Sequence, residues 1–117
     1  MNKLSKIQRV RKRSEYKEVL NCEGKVVFRN ILLKFKPRTT GELRLGLVVS
    51  KKVGCAVIRN KVKRRLRESF RQLPACLRSK PYDIVVIARH SAKSSSYLNI
   101  DKQLHSGVTR VLARKSL

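Results

Sequence analysis

Residues 59 to 71 carry a dense set of basic side chains that could bind phosphate groups. Seven of these thirteen residues are Lys or Arg, and Glu68 is the one acid among them. Neighbouring cations repel one another until an anion lies between them, and guanidinium groups bind phosphate through paired hydrogen bonds. Asn60 adds a neutral amide that can both donate to and accept from a base edge or a 2′-hydroxyl. The segment therefore predicts a phosphate-binding surface on a nucleic acid partner.

The same segment has the apolar spacing of an amphipathic helix, expected from about Ala56 to Leu73 and ending before Pro74. At about 100° per residue, one arc carries the apolar side chains and the opposite arc carries polar ones. The apolar arc holds Ile58, Val62, Leu66, Phe70 and Leu73, and the opposite arc holds Asn60, Lys63, Arg64, Arg67 and Arg71. Arg59 lies beside the apolar arc, and Lys61 and Arg65 flank its other side. The helix should pack by one face and present its charge on the other.

The composition of the whole chain supports a polyanionic partner. The 117 residues have a net charge of +23, and a compact domain with so much charge repels itself unless a polyanion binds. A membrane is a weaker candidate partner, because no apolar run approaches the roughly 20 residues that span a bilayer. Composition alone strongly favours a nucleic acid as the partner, and it leaves the choice between RNA and DNA undecided.

No group of residues indicates a catalytic or metal centre in the polypeptide. The seven acids are scattered, whereas a two-metal nuclease needs carboxylates that converge. We interpret Glu68 and Asp83 as local charge partners. Cys22, Cys55 and Cys76 fit no zinc spacing and cannot all pair, so they are expected as buried or half-buried thiols in a reducing cytosol.

The order of predicted elements indicates a single α+β domain over residues 1–117, in which residues 1–13 form a basic, flexible arm. The predicted elements are a helix at 14–21, strands at 26–36 and 43–50 that form a hairpin, the basic helix, a strand at 82–89 and a helix at 97–114. The strand at 82–89 is apolar almost throughout, so it should be central and buried on both faces. We expect a mixed sheet with helices packed against it.

The motifs of this chain resemble those of the bacterial ribonuclease P protein subunit. The resemblance lies in "RNKVKR" after "SKKVGCAVI", within residues 44–71, and continues in "DIVVIAR" at 83–89 and "SEYKEVL" in the first helix. It implies a sandwich of three helices on a mixed, roughly four-stranded sheet. It also implies a left-handed crossover helix between two parallel strands, against the usual right-handed rule.

The resemblance also implies a function. In that family a catalytic RNA, using Mg²⁺, removes the 5′ leader of precursor tRNA, and the protein itself is not catalytic. One protein per RNA binds the catalytic RNA and holds the leader in a cleft between its first helix and its sheet. This would make the chain a cytoplasmic protein with two RNA partners and no bound cofactor or metal of its own.

Site residues carry over from the resemblance position by position. The helix that binds the catalytic RNA supplies Arg59, Asn60, Lys61, Lys63, Arg64, Arg67 and Arg71, where Lys61 replaces a frequent arginine. The leader cleft supplies Tyr16, Leu20, Lys34, Lys51, Lys52 and Arg89. Tyr16 would stack on an unpaired base, whereas Leu20 and Lys34 stand where aromatic residues are common. For Tyr16 and Leu20, simple core packing is the competing interpretation.

Two other functions compete with this one. The first is a structural RNA-binding protein of ribosomal or nucleoid type, which the composition allows equally well. The second is a protein-only nuclease, which the scattered carboxylates disfavour. The Arg-Asn-x-x-Lys-Arg spacing after Ser-Lys-Lys favours the ribonuclease P subunit over the first.

Overall fold

The computed structural model describes residues 13–22, 24–94 and 97–115. The predicted N-terminal arm therefore lies outside the described residues except for Arg13, at which the first helix begins. The helices are α1 (Arg13–Leu20), α2 (Ala56–Arg71), the one-turn α3 (Ala75–Arg78) and α4 (Tyr97–Lys115). The strands are β1 (Lys25–Val27), β2 (Ile31–Pro37), β3 (Arg44–Val48) and β4 (Tyr82–Ala88). A short 3-10 turn, His90–Ser94, joins β4 to α4.

The four strands form one mixed sheet in the order β1-β2-β4-β3. β4 pairs antiparallel with β2 and parallel with β3. The predicted hairpin between residues 26–36 and 43–50 is therefore wrong. β4 is apolar on both faces, so it takes the central position and separates the two segments. The hairpin instead forms within 26–36, where β1 and β2 meet around a turn closed by the Phe28 N–H and the Ile31 carbonyl, 2.8 Å apart.

The central strand β4 is buried on both faces, as predicted from its composition. Ile84, Val85 and Val86 are all 0 % exposed. Side chains alternate along a strand, so Ile84 and Val86 face one layer of helices and Val85 faces the other. The sheet consequently has a core on each side.

Helices α2 and α4 pack together on one face of the sheet and enclose the larger core. The apolar arc of α2 is buried there, with Val62, Leu66 and Phe70 each at most 2 % exposed, so the predicted stripe is confirmed. α4 contributes its own buried stripe, which consists of Ile100, Leu104, Val108 and Val111. The connector predicted after Pro74 contains the one-turn helix α3, which is too short to show periodicity in the sequence.

Helix α1 covers part of the opposite face of the sheet. It packs against β2 and β4, and its Val19 is completely buried. With α1 on one face and α2 and α4 on the other, the α+β sandwich and the mixed four-stranded sheet are confirmed. β3 and β4 are adjacent parallel strands connected through α2, as expected for the crossover. The left-handedness of this crossover stays a prediction.

The cysteine prediction is correct at only one of its three positions. All three thiols are free, and Cys22 is half-buried as expected, but Cys55 and Cys76 are exposed. Cys55 occupies the N-cap position of α2 without a side-chain capping hydrogen bond, and Cys76 lies in the one-turn helix α3. Neither position faces the core, and composition could not indicate that.

Candidate nucleic-acid interface

The polar arc of α2, which we call the basic face, is open to solvent. It consists of Asn60, Lys63, Arg64, Arg67 and Arg71. Asn60, Arg64 and Arg71 are exposed, and Lys63 and Arg67 are half-buried. The flanking Lys61 is exposed as well, while Arg59 is half-buried beside the apolar stripe. Among the described residues, no carboxylate forms an ion pair with any of these side chains. The basic face is therefore a row of cations that protein groups in the described ranges leave unneutralised.

Hydrogen bonds between α2 and α4 fix the orientation of the basic face. The buried Ser69 hydroxyl donates to an Asp101 carboxylate oxygen at 2.6 Å. His105 Nε2 lies 3.0 Å from the Ser69 carbonyl oxygen and 3.3 Å from the same Asp101 oxygen. Because Ser69 belongs to α2 and the other two residues to α4, this cluster limits rotation of α2 about its axis. Glu68, predicted as a charge partner, forms no ion pair with any described residue.

The N-terminus of α2 adds further positive potential. Its first turn contains no acid, and its free backbone N–H groups carry the positive end of the helix dipole. The N–H groups of Ile58 and Val57 lower the pKa of the Cys55 thiol, with a smaller contribution from Arg59. Gly54, just before the cap, has φ +155°, and a side chain there would press on Ile58. The tight turn that starts α2 thus depends on glycine.

On the opposite face of the sheet, α1 leaves a strip of side chains accessible, which we call the cleft. Its floor is a row of neighbours across three strands: Leu32 pairs with Ile87, and Ile87 with Val48. All three are half-buried, although they are apolar residues within paired strands. Tyr16 and Leu20 project from one side of α1, since they are four residues apart. Both are half-buried, so the cleft has an apolar floor and an apolar wall.

Tyr16 lies across strand β3 through two specific contacts. Its hydroxyl oxygen accepts a hydrogen bond from the Leu47 N–H at 3.2 Å. Its ring covers Gly46, where an added Cβ would lie 2.8 Å from Tyr16 Cε1. The competing interpretation placed Tyr16 in the core with its hydroxyl at the surface. The structure shows the reverse for the hydroxyl, which is bound to the sheet, while the side chain remains half-exposed.

Ion pairs attach the other side of α1 to the sheet. Arg44 Nε donates to Asp83 Oδ1 and Arg44 Nη2 donates to Asp83 Oδ2, both at 2.7 Å. Arg44 Nη2 also lies 3.0 Å from Glu15 Oε2. Arg38 Nε approaches the same Asp83 carboxylate at 3.0 Å. The hydrogen bonds to Asp83 raise the pKa of Arg44 above its ordinary value. The prediction that Asp83 is a local charge partner is confirmed.

Further cations gather at one end of the sheet. β3 and β4 run parallel, so the segments that follow them start at the same end of the sheet. Lys51 and Lys52 are exposed in the turn after β3, and Arg89 is exposed directly after β4. One nitrogen of Arg89, Nη1, donates to the Phe28 carbonyl oxygen at 2.8 Å, which leaves most of its donors available. Because α2 begins after the same turn, these cations connect the cleft with the start of the basic face.

The sequence profile of a family described as Ribonuclease P matches residues 4–112 of this chain. A ribonuclease P protein component from Clostridium novyi is 33 % identical over 117 residues, which cover 97 % of this chain and 98 % of that protein. The chain belongs to the ribonuclease P family.

Solved structures of that family share the fold. A mutant of the Staphylococcus aureus RNase P protein superposes with a TM-score of 0.79 at 32 % identity, covering 91 % of this chain and 89 % of that one. The RNase P protein from Thermotoga maritima superposes with a TM-score of 0.72 at 29 % identity, covering 82 % and 90 %. The resemblance first seen in the motifs around Asn60 therefore holds across almost the whole chain.

Sequence reasoning missed four residues that shape the cleft of this ribonuclease P family member. Leu32, Val48 and Ile87 form its floor, and Gly46 accommodates the Tyr16 ring. A glycine inside a strand is a signal of close approach by another group, so Gly46 could have been recognised. The apolar floor could not, because its three residues have the same composition as core residues and differ from them only in exposure.

Lys34, predicted in the cleft, lies on the same face of the sheet as the floor. It is half-buried and pairs across the sheet with Lys25 on one side and Val85 on the other. Lys25 and Lys34 are thus like charges placed directly opposite each other, an unfavourable arrangement unless an anion approaches. This placement suits contact with a phosphate rather than stacking.

The part of the chain that the structure describes contains neither a metal-binding cluster nor a membrane-spanning helix. Within residues 13–22, 24–94 and 97–115, no three His, Cys, Asp or Glu side chains come together as they would around a metal ion. Of the helices that the structure describes, none has the length and apolar character needed to cross a membrane.

Proposed function

We propose that this chain is the protein subunit that works with a catalytic RNA in removing the 5′ leader of precursor tRNA. The observation that carries the proposal is the family match over residues 4–112, together with two separate surfaces on the protein. One surface is the basic face of α2, and the other is the partly apolar cleft. A structural RNA-binding protein of ribosomal or nucleoid type would need the first surface but has no stated use for the second.

The basic face binds the catalytic RNA. Its exposed guanidinium groups, Arg64 and Arg71 among them, are spaced along one rigid helix. Such a row can contact successive phosphates with paired hydrogen bonds, and each contact releases counterions. Asn60, exposed at the start of the row, supplies a donor and an acceptor for a base edge or a 2′-hydroxyl.

The cleft binds the single-stranded leader. Tyr16 offers one aromatic face for a base, and the floor of Leu32, Ile87 and Val48 offers apolar area for further bases or sugars. Lys34 contacts a leader phosphate instead of stacking, and Leu20 supplies wall area only. Lys51, Lys52 and Arg89 contact the backbone where the leader leaves the cleft.

The catalytic step belongs to the RNA, which uses Mg²⁺, and one protein acts with one RNA. The polypeptide contributes affinity and orientation, in keeping with its scattered acids. The basic face and the cations at the end of the sheet lower the repulsion between two RNA molecules that must come together. In these roles the protein would work in the cytoplasm together with its RNA partners.

Reconstitution tests the proposal. Purified protein, a ribonuclease P RNA and a leader-bearing precursor tRNA are combined at low Mg²⁺, with each component omitted in turn. We expect cleavage at the 5′ end of the mature tRNA to require the RNA and to increase markedly when the protein is added. Cleavage by the protein alone, or RNA activity that the protein never improves, would refute the proposal.

A further inference from the structure

Ion pairs between carboxylates and cations occur where α1 meets the sheet. The chain has only seven Asp and Glu residues, and three of them, Glu15, Glu18 and Asp83, form ion pairs in this interface. In a chain of net charge +23, carboxylates lower the attraction for RNA wherever they lie. Glu15 and Glu18 lie on α1 and pair with cations of the sheet, so these ion pairs contribute to the position of that helix.

The position of helix α1 on the sheet depends on tertiary contacts. It has eight residues, and a helix of that length is marginal in water unless tertiary contacts support it. Val19 anchors it to the sheet by burial, but apolar contact alone does not define rotation about the helix axis. Polar contacts with a defined direction have to do so.

Arg44 provides such contacts, because it joins three elements. Its guanidinium holds both oxygens of Asp83 on β4 at 2.7 Å and reaches Glu15 on α1 at 3.0 Å. Asp83 is 5 % exposed, so the Arg44–Asp83 pair is a fixed point in the sheet. The ion pair of Glu15 with Arg44 connects α1 to this largely buried pair.

Glu15 immediately precedes Tyr16, and their contacts on β3 are also adjacent. Glu15 contacts Arg44, while Tyr16 covers Gly46, two residues further along the same face of the strand. A rotation of α1 that broke the Glu15–Arg44 contact would move the Tyr16 ring away from Gly46 and the Leu47 N–H. The ion pair therefore acts together with the Tyr16 hydroxyl contact in setting the position of the aromatic ring in the cleft.

We propose that Glu15 and Arg44 are positioning residues for leader binding: their ion pair sets the rotation of α1 and so holds the Tyr16 ring where an unpaired base can stack on it. The proposal rests on the leader-binding role of the cleft given above. Neither residue touches the RNA in this account, and both act through Tyr16.

The chain offers a matched control on the same helix. Glu18 also pairs with a cation of the sheet, Lys36, but the two side chains are 61 % and 37 % exposed. Ion pairs that are this exposed hold geometry weakly. Glu15→Gln and Glu18→Gln each raise the net charge by one, so they change the general attraction for RNA equally. A difference between them reports on position and not on charge.

The experiment measures the affinity of the reconstituted holoenzyme for precursor and for mature tRNA, with Glu15→Gln, Glu18→Gln, Tyr16→Ala and the Glu15→Gln/Tyr16→Ala double variant. Relative to Glu18→Gln, we expect Glu15→Gln to weaken precursor binding about 3- to 10-fold and to leave mature tRNA binding unchanged. In the Tyr16→Ala background Glu15→Gln should add less than about twofold, since the ring it positions is gone. Arg44→Lys keeps the charge, loses the two-sided fork, and should behave like Glu15→Gln.

The results test the positioning role of Glu15 and the leader-binding role of the cleft separately. Equal effects of Glu15→Gln and Glu18→Gln, a matching loss for mature tRNA, or full additivity with Tyr16→Ala would overturn the positioning role while leaving the leader cleft intact. If Tyr16→Ala itself shows no loss specific to the precursor, the leader-binding role of the cleft fails, and the positioning role fails with it. Circular dichroism of each variant confirms that the compared proteins are folded.

Discussion

The basic face of α2 and the cleft beside α1 are both proposed RNA-binding surfaces, yet they are built in different ways. The basic face belongs to one helix, and its side chains project into solvent without protein partners among the described residues. The cleft needs α1, β2, β3 and β4 together, and its single aromatic wall, Tyr16, contacts two residues of β3.

This difference predicts different sensitivities. A surface carried by one helix loses affinity step by step as its cations are removed, and it depends strongly on salt. A surface assembled from several elements depends instead on the contacts that hold those elements in register. Changes remote from the RNA should therefore impair the cleft more than the basic face.

The largest effect is expected from Asp83→Asn. The carboxylate is 7 % exposed and neutralises Arg44 and Arg38, whose side chains are 19 % and 24 % exposed. Removing one partner of a fully buried ion pair costs about 3–5 kcal/mol, and we expect about 3 kcal/mol here, because both arginines are partly exposed and Arg44 keeps its contact with Glu15. Urea unfolding should show this loss, whereas Glu42→Gln, at an exposed acid, should change stability by less than about 0.5 kcal/mol.

Asp83→Asn also tests whether the cleft and the basic face function independently. Under conditions in which Asp83→Asn is folded, precursor preference should fall while assembly with the catalytic RNA is retained. A variant that loses both to the same extent would show that the two surfaces are not independent.

A smaller loss of stability is expected from Ser69→Ala, which tests how α2 is held. The buried hydroxyl donates to the Asp101 carboxylate at 2.6 Å, and a hydrogen bond to a charged group contributes about 1.5–3 kcal/mol. Thermal or urea unfolding should detect this loss, and folded Ser69→Ala protein should still assemble with RNA. Unchanged stability would mean that the apolar stripe alone orients the basic face.

A still smaller and purely local effect is expected from Gly46→Ala. The new Cβ would lie 2.8 Å from Tyr16 Cε1, so the ring must shift. The backbone of Gly46 is not in the left-handed region, so the strand itself should accept alanine. We expect precursor affinity to fall by about 1 kcal/mol, the lower end for one stacked base, with mature tRNA as the internal control. Equal precursor affinity would mean that the position of the ring does not matter.

The comparison also explains which parts of the molecule the sequence could predict. Periodicity along one segment placed Val62, Leu66 and Phe70 inside and Arg64 and Arg71 outside, because both sets depend only on the geometry of a single helix. Continuous apolar character likewise placed β4 at the centre of the sheet.

Features that depend on contacts between distant segments could not be predicted in this way. The strand order was wrong, because nothing within residues 26–36 and 43–50 indicates that β4 separates them. The Glu15–Arg44–Asp83 contacts join three segments far apart in the chain, and no local pattern announces them. The cleft residues that were named came from family resemblance, and their roles stay predictions.

The central claim is that the two surfaces bind different RNAs, and one crossed measurement tests it most directly. Arg64→Ala and Tyr16→Ala are each assayed for assembly with a ribonuclease P RNA over a range of salt, and for the ratio of precursor to mature tRNA affinity. Lys102→Ala, at an exposed cation of α4, controls for the loss of one charge.

We expect Arg64→Ala to weaken assembly and lower the salt slope by about one unit, with the precursor ratio unchanged in the assembled complex. Tyr16→Ala should leave assembly intact and reduce the precursor ratio by about 1–3 kcal/mol. If either variant lowers both quantities to the same degree beyond the effect of Lys102→Ala, the two surfaces do not have separate RNA partners and the account is wrong.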